Sequence, residues 1–337
     1  MKKEVRLCVT CQRAYKRPEE QKMAPLPLER VSQNAPFFST GVDMMGPFRA
    51  KMNGRAVHKV YVAVFTCFET RSVHAEMVYK MDADSMINAM VRFSARRPGV
   101  EKMFSDRGTN FVATKSILRK ELKELNEKAA PELMKKGIEW SFIPAYTPHY
   151  GGAWERMVGL FKKHLATVGS GDPMHVDTFN TVIIEIESIL NRRPLTILSQ
   201  DSRDLEPLTP AHILYPATLQ GRAPTVVPTD GEVGKNMKMA WKRAQSKINE
   251  FWKAWRTEYL SLLHDRKKWK NTKKNLEKDD VVILVDESVS RHEWKLARVV
   301  NVVNSGPHVR KVNVRRSDGK IVLKDRTKLV KMELDDK

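Results

Sequence analysis

The chain has 337 residues, 41% of them hydrophobic, and no apolar run approaches the roughly 18 residues that a membrane span requires. Its 60 Lys and Arg residues outnumber 40 Asp and Glu residues, which gives a net charge of +20 and a pI of about 9.8. These values exclude a membrane-spanning protein. They predict a soluble chain of two or three domains with a polyanionic partner, nucleic acid rather than an anionic membrane surface.

Three cysteines and the lack of a secretory signal peptide predict a reducing compartment. Cys8 and Cys11 form a C-x-x-C pair, which is typical of half a tetrahedral zinc site or of a redox couple. No His pair precedes them, so we do not expect zinc binding by this chain alone. Cys67 lies in an apolar run and is predicted to be a buried strand thiol.

Residues 17–36 are polar and contain prolines, and they are interpreted as a linker. The alternating apolar residues that follow predict a sheet that begins as an antiparallel meander. The predicted strands are Phe38–Met44, Lys59–Cys67, Ser72–Met77, Lys102–Ser105 and Trp140–Pro144, with a helix at Ala83–Arg96. Residues 114–137 are rich in Lys, Glu and Leu and predict a helical insertion.

Two further helices are predicted, over Asp172–Arg192 and Met237–Lys270. In the first, Glu185 and Glu187 are interpreted as surface charges. In the second, aromatic residues recur at helical spacing, and core packing explains this stripe better than base stacking. The basic run around the end of that helix is interpreted as a set of phosphate contacts, with a solvated face or a nuclear-import signal as alternatives. It comprises Arg266, Lys267, Lys268, Lys270, Lys273 and Lys274.

Asp280–Met332 alternates like a small β-barrel of five short strands. Positive residues are predicted to point outward from it, and we expect them to contact DNA; the alternative is an ordinary barrel edge protected by charge. These residues are Lys295, Arg298, Arg310, Lys311, Arg315 and Arg316.

Three carboxylates have local sequences that set them apart from the other acidic residues. Asp43 precedes a Gly-Pro breaker and Asp106 follows an apolar pair, so both are predicted to lie at strand ends. Glu155 follows a Pro- and Gly-rich loop and is predicted on the first turn of a helix. If they converge, three carboxylates can hold a pair of divalent cations and leave positions for water and phosphate oxygens.

The helix that carries Glu155 is predicted from the stretch IPAYTPHYGGAWERMVGLFKKHL at residues 143–165. Its apolar face comprises Trp154, Val158, Phe161 and Leu165. At about 100° per residue, Lys162 returns to nearly the same side as Glu155, while Arg156 and Lys163 lie one step over. With Glu155 and Lys162 on one face, the carboxylate could bind a metal ion while the ammonium group binds a nearby phosphate. An amphipathic surface helix with solvated charges is the alternative.

This pattern resembles the Asp-Asp-Glu catalytic core of retroviral-type integrases, with Asp43, Asp106 in SDRGTNF and Glu155 in PHYGGAWERMVG. The wording TPHYGGAWE is most similar to the integrases of Bel/Pao-type long-terminal-repeat retrotransposons. The segments ILNRRPLT, LTPAHIL and FWKAWRTEYLSLLHDRKKW also resemble that family. Forty-eight residues separate Asp106 from Glu155, more than in retroviral relatives, and the surplus falls in the predicted helical insertion.

The resemblance implies an α/β fold: a ribonuclease H-like mixed sheet flanked by helices, then a helical linker and a small Src-homology-3-like β-barrel. The implied parts are a remnant of an amino-terminal zinc-binding domain (1–16), a linker (17–36), the catalytic core with a helical extension (37–220), a basic helical linker (221–275) and the barrel (276–337). The resemblance also implies a homo-oligomer whose partners are element ends and target DNA, located in the nucleus or, as the alternative, in a cytoplasmic pre-integration complex.

The implied activity is 3′-end processing and strand transfer with two Mg²⁺ or Mn²⁺ ions. Asp43 would bridge both ions, Asp106 would hold one and Glu155 the other. Lys162, Lys163 and Arg156 would bind the DNA backbone, and Asn110 and His149 would orient substrate or make structural hydrogen bonds. The alternatives are a catalytically silent, element-derived protein that binds DNA or chromatin, and a ribonuclease H.

Overall fold

The computed structural model describes residues 29, 31, 33–52, 56–105, 138–142, 148–169, 171–197, 206–215, 239–263, 275–286, 289, 291–303 and 309–332, with backbone alone at 83, 142, 148–158 and 240. The chain divides into two compact units, Met1–Ser32 and Gln33–Lys337. Both sheets and the helices that pack against them belong to the second unit.

A mixed sheet forms the larger part of this unit. Its strands are β1 (Ser39–Lys51), β2 (Val57–Cys67), β3 (Val73–Val78), β4 (Lys102–Ser105), β5 (Glu139–Phe142) and the short β6 (Met174–His175), in the order β3-β2-β1-β4-β5, with β6 pairing to β1. β2 is antiparallel to both β1 and β3, which confirms the predicted meander. β4, β5 and β6 run parallel to the strand that each pairs with.

Helices cover both faces of the mixed sheet because the alternating residues of its strands are apolar on both sides. In β2, Ala63 and Phe65 face α1 (Ala83–Arg96), while Val62 and Val64 face the opposite layer. That opposite layer consists of α2 (Pro148–Gly169), α3 (Val176–Asn191) and α5 (Met239–Leu263). The sheet is therefore buried on both faces, as parallel pairing requires.

Local signals account for where the helices begin. Asp82 caps α1, because its Oδ1 accepts a hydrogen bond of 2.9 Å from the backbone N–H of Ser85. α3 begins at Val176, later than the predicted Asp172, because Met174–His175 pairs with β1 and His175 becomes the N-cap residue. β7 (Thr196–Ile197), β8 (Pro207–Leu208) and the short α4 (Pro210–Leu214) follow.

The carboxy-terminal part is a separate five-stranded antiparallel sheet, in agreement with the predicted strand number. Its strands are β9 (Val281–Leu284), β10 (Leu296–Val302), β11 (Lys311–Arg316), β12 (Ile321–Asp325) and β13 (Leu329–Lys331), in the order β12-β11-β10-β9-β13, with a 3₁₀ turn at Arg326–Lys328. One face encloses a core that includes Val282, Val299 and Val314.

The long helix α5 packs against α2 and α3 beneath the mixed sheet and against the small sheet. Ile248, Phe251 and Trp255 belong to the core beneath the mixed sheet, so the aromatic stripe is core, as predicted. Near the end of α5, Leu260 packs against Ile283 and Val330 of the small sheet. Trp294, which precedes β10, lies with its ring centroid 5.3 Å from that of Trp252. In the part of the chain that the structure describes, none of the helices combines the length and the hydropathy of a membrane span.

Candidate functional site

Asp43 lies on β1 at the point where the described pairing with β4 ends. Its backbone pairs with Val64 of β2, and the last parallel pair between β1 and β4 joins Val42 to Ser105. Because successive residues of a strand face opposite sides, Asp43 shares the side of Met45, which belongs to the core beneath α2 and α3. The Asp43 side chain is 26% exposed.

The prediction that Asp43 ends its strand is wrong, because β1 continues to Lys51. The Gly-Pro pair is accommodated as a register shift between Met45 and Phe48. Gly46 has a φ of 125°, and a Cβ there would lie 3.1 Å from the carbonyl oxygen of Val60. A bulge absorbs a residue that cannot donate to the ladder, so the strand bends and resumes.

Lys162 of α2 reaches Asp43 from the helical layer. Its Nζ lies 2.6 Å from Oδ2 of Asp43, while Oδ1 accepts a 2.7 Å hydrogen bond from the backbone N–H of Met44. The Lys162 side chain is 38% exposed, so this ion pair borders solvent. Lys162 is held beside Asp43 because Phe161 and Leu165, its neighbours on α2, are fully buried.

Glu155 lies on the same helix, seven residues before Lys162. The prediction that it occupies the first turn is wrong, because α2 begins at Pro148. A proline is tolerated at a helix start, where its missing N–H would lack a partner in any case. The backbone places Glu155 about 10 Å from Lys162 along the axis and on nearly the same face.

Several predicted site residues fall where the structure gives no side chain. Asp106, Asn110, Cys8 and Cys11, and the basic residues Arg266, Lys267, Lys268, Lys270, Lys273 and Lys274, lie outside the described residues. His149 and Arg156 lie on the part of α2 whose backbone alone is described. Within the described part of the chain, no three His, Cys, Asp or Glu residues group as metal ligands. The metal site therefore stays a prediction.

Lys163, predicted to contact DNA, is paired with an acid of α5. Its Nζ lies 2.8 Å from Oε2 of Glu258, and this hydrogen bond lowers the pKa of Glu258 despite opposing desolvation. The Nε2 of His164 lies 3.0 Å from the same oxygen. Burial lowers the pKa of His164, and Glu258 only partly offsets the effect. These contacts join α2 to α5.

The positive residues of the small sheet do not all face one way. Arg315 and Lys311 are exposed, and Arg310 precedes them on the exposed end of β11. Arg316 alternates with Arg315, shares the side of Val312 and Val314 and is half-buried. Its predicted contact with DNA stays a prediction.

Two more of the predicted outward residues make contacts within the small sheet. The Nζ of Lys295 lies 3.2 Å from Oδ2 of Asp286. Nη1 of Arg298 donates a 3.1 Å hydrogen bond to the carbonyl oxygen of Asp279. Part of the predicted positive surface is therefore engaged with the protein's own oxygen atoms.

A buried ionic cluster was missed by the sequence interpretation. Glu187 is 9% exposed, so its interpretation as a surface charge is wrong. Its Oε2 accepts a 2.9 Å hydrogen bond from the backbone N–H of Ala75, and its Oε1 lies 3.2 Å from Nη2 of Arg97 and 3.4 Å from Nδ1 of His74. The available signal was helical phase, because Glu187 follows the buried Ile183 by one turn.

The same cluster contains a second buried acid, Glu76 of β3. Its Oε1 lies 2.8 Å from Nε2 of His74, and its Oε2 accepts a 2.7 Å hydrogen bond from Nε of Arg92. Arg96 also forms an ion pair with Glu76. Burial opposes ionisation of Glu187, yet His74, the Ala75 N–H and Arg97 together lower its pKa. His74 thus lies between two carboxylates.

The structure defines an α/β protein in which a mixed sheet is flanked by helices and accompanied by a separate antiparallel sheet. Residues 239–332, which comprise α5 and the small sheet, match a family of unknown function (DUF5641). No curated protein matches the sequence.

Among solved structures, the chain is similar to one described as "CryoEM structure of simian T-cell lymphotropic virus intasome in complex with PP2A regulatory subunit B56 gamma". The sequence identity is 12% and the TM-score is 0.40, over 97% of this chain and 88% of that chain.

Proposed function

We propose that this protein is a metal-dependent polynucleotidyl transferase of the retroviral integrase type, which processes DNA 3′ ends and joins them to target DNA. Within that type, the motif TPHYGGAWE favours the Bel/Pao group. The larger sheet with its helices would be the ribonuclease H-like core, and the small sheet would be the Src-homology-3-like barrel. The activity would be nuclear and carried out by a homo-oligomer.

One observation carries this proposal: the Lys162–Asp43 contact between β1 and α2. It brings together the strand of the first predicted acid and the helix of the third. The second predicted acid, Asp106, directly follows Ser105 in the sequence, and Ser105 pairs with Val42, the residue before Asp43. Asp43 and Asp106 therefore each follow, in the sequence, one member of the Val42–Ser105 pair of two neighbouring parallel strands. Glu155 is on α2, the helix whose Lys162 contacts Asp43.

The chemistry of Asp43 fits a divalent cation. A carboxylate is the ligand type that Mg²⁺ and Mn²⁺ prefer, and its Oδ2 already faces a cationic group at 2.6 Å. Asp43, Asp106 and Glu155 would hold the ions. When bound, two ions would activate the attacking water or 3′-hydroxyl and stabilise the departing oxygen of an in-line displacement.

The protein's own cations would position the DNA. Lys162 and Arg156, on α2, would bind backbone phosphates beside the acids, and the exposed Arg310 and Arg315 would extend this contact. Phosphate contacts supply affinity and register without reading sequence. The net charge of +20 supports DNA as the partner.

The experiment is a strand-transfer assay with Mn²⁺, a labelled short DNA duplex that carries a free 3′-hydroxyl, and supercoiled plasmid as target. The wild-type chain is compared with Asp43→Asn, Asp106→Asn and Glu155→Gln. We expect joined product from the wild type and a loss of at least about a hundredfold in each variant, because each removes a metal ligand. Asp84→Asn, an exposed acid in the first turn of α1, is the matched control and should keep activity.

A catalytically silent DNA-binding protein gives a different result. In that case the wild type and all variants shift the duplex in a gel, and none of them yields product. Cleavage of an RNA–DNA hybrid without strand transfer would instead identify a ribonuclease H, because both activities use the same three acids.

A further inference from the structure

Asp43 has a single charged partner among the described residues, and that partner is a flexible side chain at the protein surface. The Nζ of Lys162 lies 2.6 Å from Oδ2, and the two side chains are 38% and 26% exposed. An ion pair that borders solvent contributes little to stability, because water solvates each group almost as well when they separate. Lys162 can therefore leave Asp43 without unfolding its surroundings.

The neighbouring lysine shows the contrast. Lys163 is paired with Glu258 of α5, which is not a predicted metal ligand. Of these two adjacent lysines, only Lys162 neutralises a carboxylate that is also a predicted metal ligand. An ammonium group and a divalent cation cannot both occupy the 2.6 Å position at Oδ2, because like charges at that distance repel.

We propose that Lys162 and a divalent cation bind Asp43 in exchange, and that the displaced Lys162 ammonium binds a DNA backbone phosphate. This inference rests on the proposed function, because the divalent cation and the DNA are the ligands of that function. Lys162 is then a positioning residue that couples two ligands. By linkage, the metal raises affinity for DNA by the same factor by which DNA raises affinity for the metal.

The first test measures Mn²⁺ binding without DNA by isothermal titration calorimetry. Lys162→Met keeps the aliphatic stem and removes the competing charge, so it should bind Mn²⁺ about three- to tenfold more tightly than the wild type. Lys162→Arg keeps the charge and should bind like the wild type.

Lys247→Met is the matched control for this titration. Lys247 Nζ also forms a 2.8 Å pair with a carboxylate, but that carboxylate is Glu250 of α5, which is not a predicted metal ligand. It should leave Mn²⁺ affinity unchanged. Equal Mn²⁺ affinity of the wild type and Lys162→Met, with both proteins folded by circular dichroism, would overturn the exchange.

The second test is a double-mutant cycle on binding of a DNA duplex of about 20 base pairs in EDTA. In the wild type Asp43 competes with DNA for Lys162, so Lys162→Met should weaken DNA binding by only about two- to threefold. In the Asp43→Asn background Lys162 is released, and the same substitution should weaken binding by about five- to tenfold. Equal effects in both backgrounds would refute the coupling.

Asp84→Asn separates this effect from the simple loss of one negative charge. It should raise DNA affinity less than Asp43→Asn does, since it releases no lysine from the site. The double-mutant cycle tests the exchange at Asp43, and the strand-transfer assay tests the enzymatic activity, so either proposal can be refuted without the other. Additive effects with active strand transfer refute only the exchange, whereas strong coupling without product refutes only the enzyme.

Discussion

Glu187 and Asp43 both form ion pairs with basic side chains beside the mixed sheet, but their surroundings differ. Glu187 is 9% exposed and is contacted by the backbone N–H of Ala75, by the ring of His74 and by Arg97 at the end of α1. Among the residues that the structure describes, Asp43 contacts one lysine and the N–H of the next residue, and its side chain is 26% exposed. A carboxylate with several buried partners is fixed in place, whereas one with a single surface partner can exchange it. The two acids should therefore respond differently to substitution.

The largest effect is expected at the buried acid. Glu187→Gln keeps the shape but removes the charge that faces the largely buried Arg97 side chain, so it should lower the free energy of unfolding by about 3 kcal/mol. Glu250→Gln is the control, because Glu250 is 52% exposed and pairs with Lys247 on the same helix, α5. It should cost less than about 1 kcal/mol. Urea denaturation at pH 7 measures both, and equal losses would contradict the comparison.

Two histidines extend the comparison to bases. His74 lies between Glu76 and Glu187, while His292 is half-buried beside Arg192 and Arg291. Burial, assisted by these two arginines, lowers the pKa of His292 to about 4. Because the folded pKa is below the unfolded value, the unfolded chain binds a proton first. Its contribution to stability is complete above about pH 6.5 and is lost as the pH falls toward 4.

From this shift we expect the wild type to lose about 2 kcal/mol of stability through His292 between pH 7.5 and pH 5. His292→Asn should remove that part of the loss, and asparagine tolerates the φ of 68° at this position. His164, whose pKa is also lowered by burial, contributes a loss of the same sign in both proteins. Urea denaturation at the two pH values measures the difference. Identical pH dependence of the two proteins would rule out His292 as its source.

Periodicity predicted most elements, because it depends on neighbouring residues alone. The helix Ala83–Arg96 and the strand Lys102–Ser105 have the predicted bounds, and the burial of Cys67 is confirmed. The long extension of β1 was not predictable from a Gly-Pro pair, since pairing with β2 resumes only after the bulge. The burial of Glu187 also depends on Ala75, which is 112 positions away in the sequence.

In the candidate site, too, the features that depend on neighbouring residues were predictable, and those that depend on distant residues were not. Helical phase placed Lys162 near the face of Glu155, and the structure adds its contact with Asp43, which is 119 residues away. The partner of Lys163 could not be predicted, because it requires α5 to pack against α2. Sequence pattern thus indicated which residues share a face, and the packing of elements decided which charges meet.

An intermediate case tests whether exposure sets the energy. Glu258 accepts hydrogen bonds from Lys163 and lies beside the buried His164, with a side chain that is 31% exposed. Glu258→Gln should lower the free energy of unfolding by about 0.5–1 kcal/mol, less than Glu187→Gln, because water screens the Lys163 contact. Raising the salt concentration from about 0.05 M to about 0.5 M should reduce the loss of stability caused by Glu258→Gln. A loss as large as that of Glu187→Gln would contradict this expectation and would mean that α2 and α5 depend on the Glu258 ion pairs to stay packed together.

The smallest effect on stability is expected at the exchangeable acid. Asp43→Asn removes a solvent-bordering ion pair and leaves an amide oxygen that can still accept from the Met44 N–H, so stability should change by less than about 0.5 kcal/mol. The same substitution is expected to abolish strand transfer. A variant that is as stable as the wild type and inactive assigns Asp43 to the chemistry, because no loss of fold accounts for the lost product. A destabilisation comparable to that of Glu187→Gln would instead mean that Lys162 holds Asp43 as part of the framework, and an acid that the framework needs is not available to a metal ion.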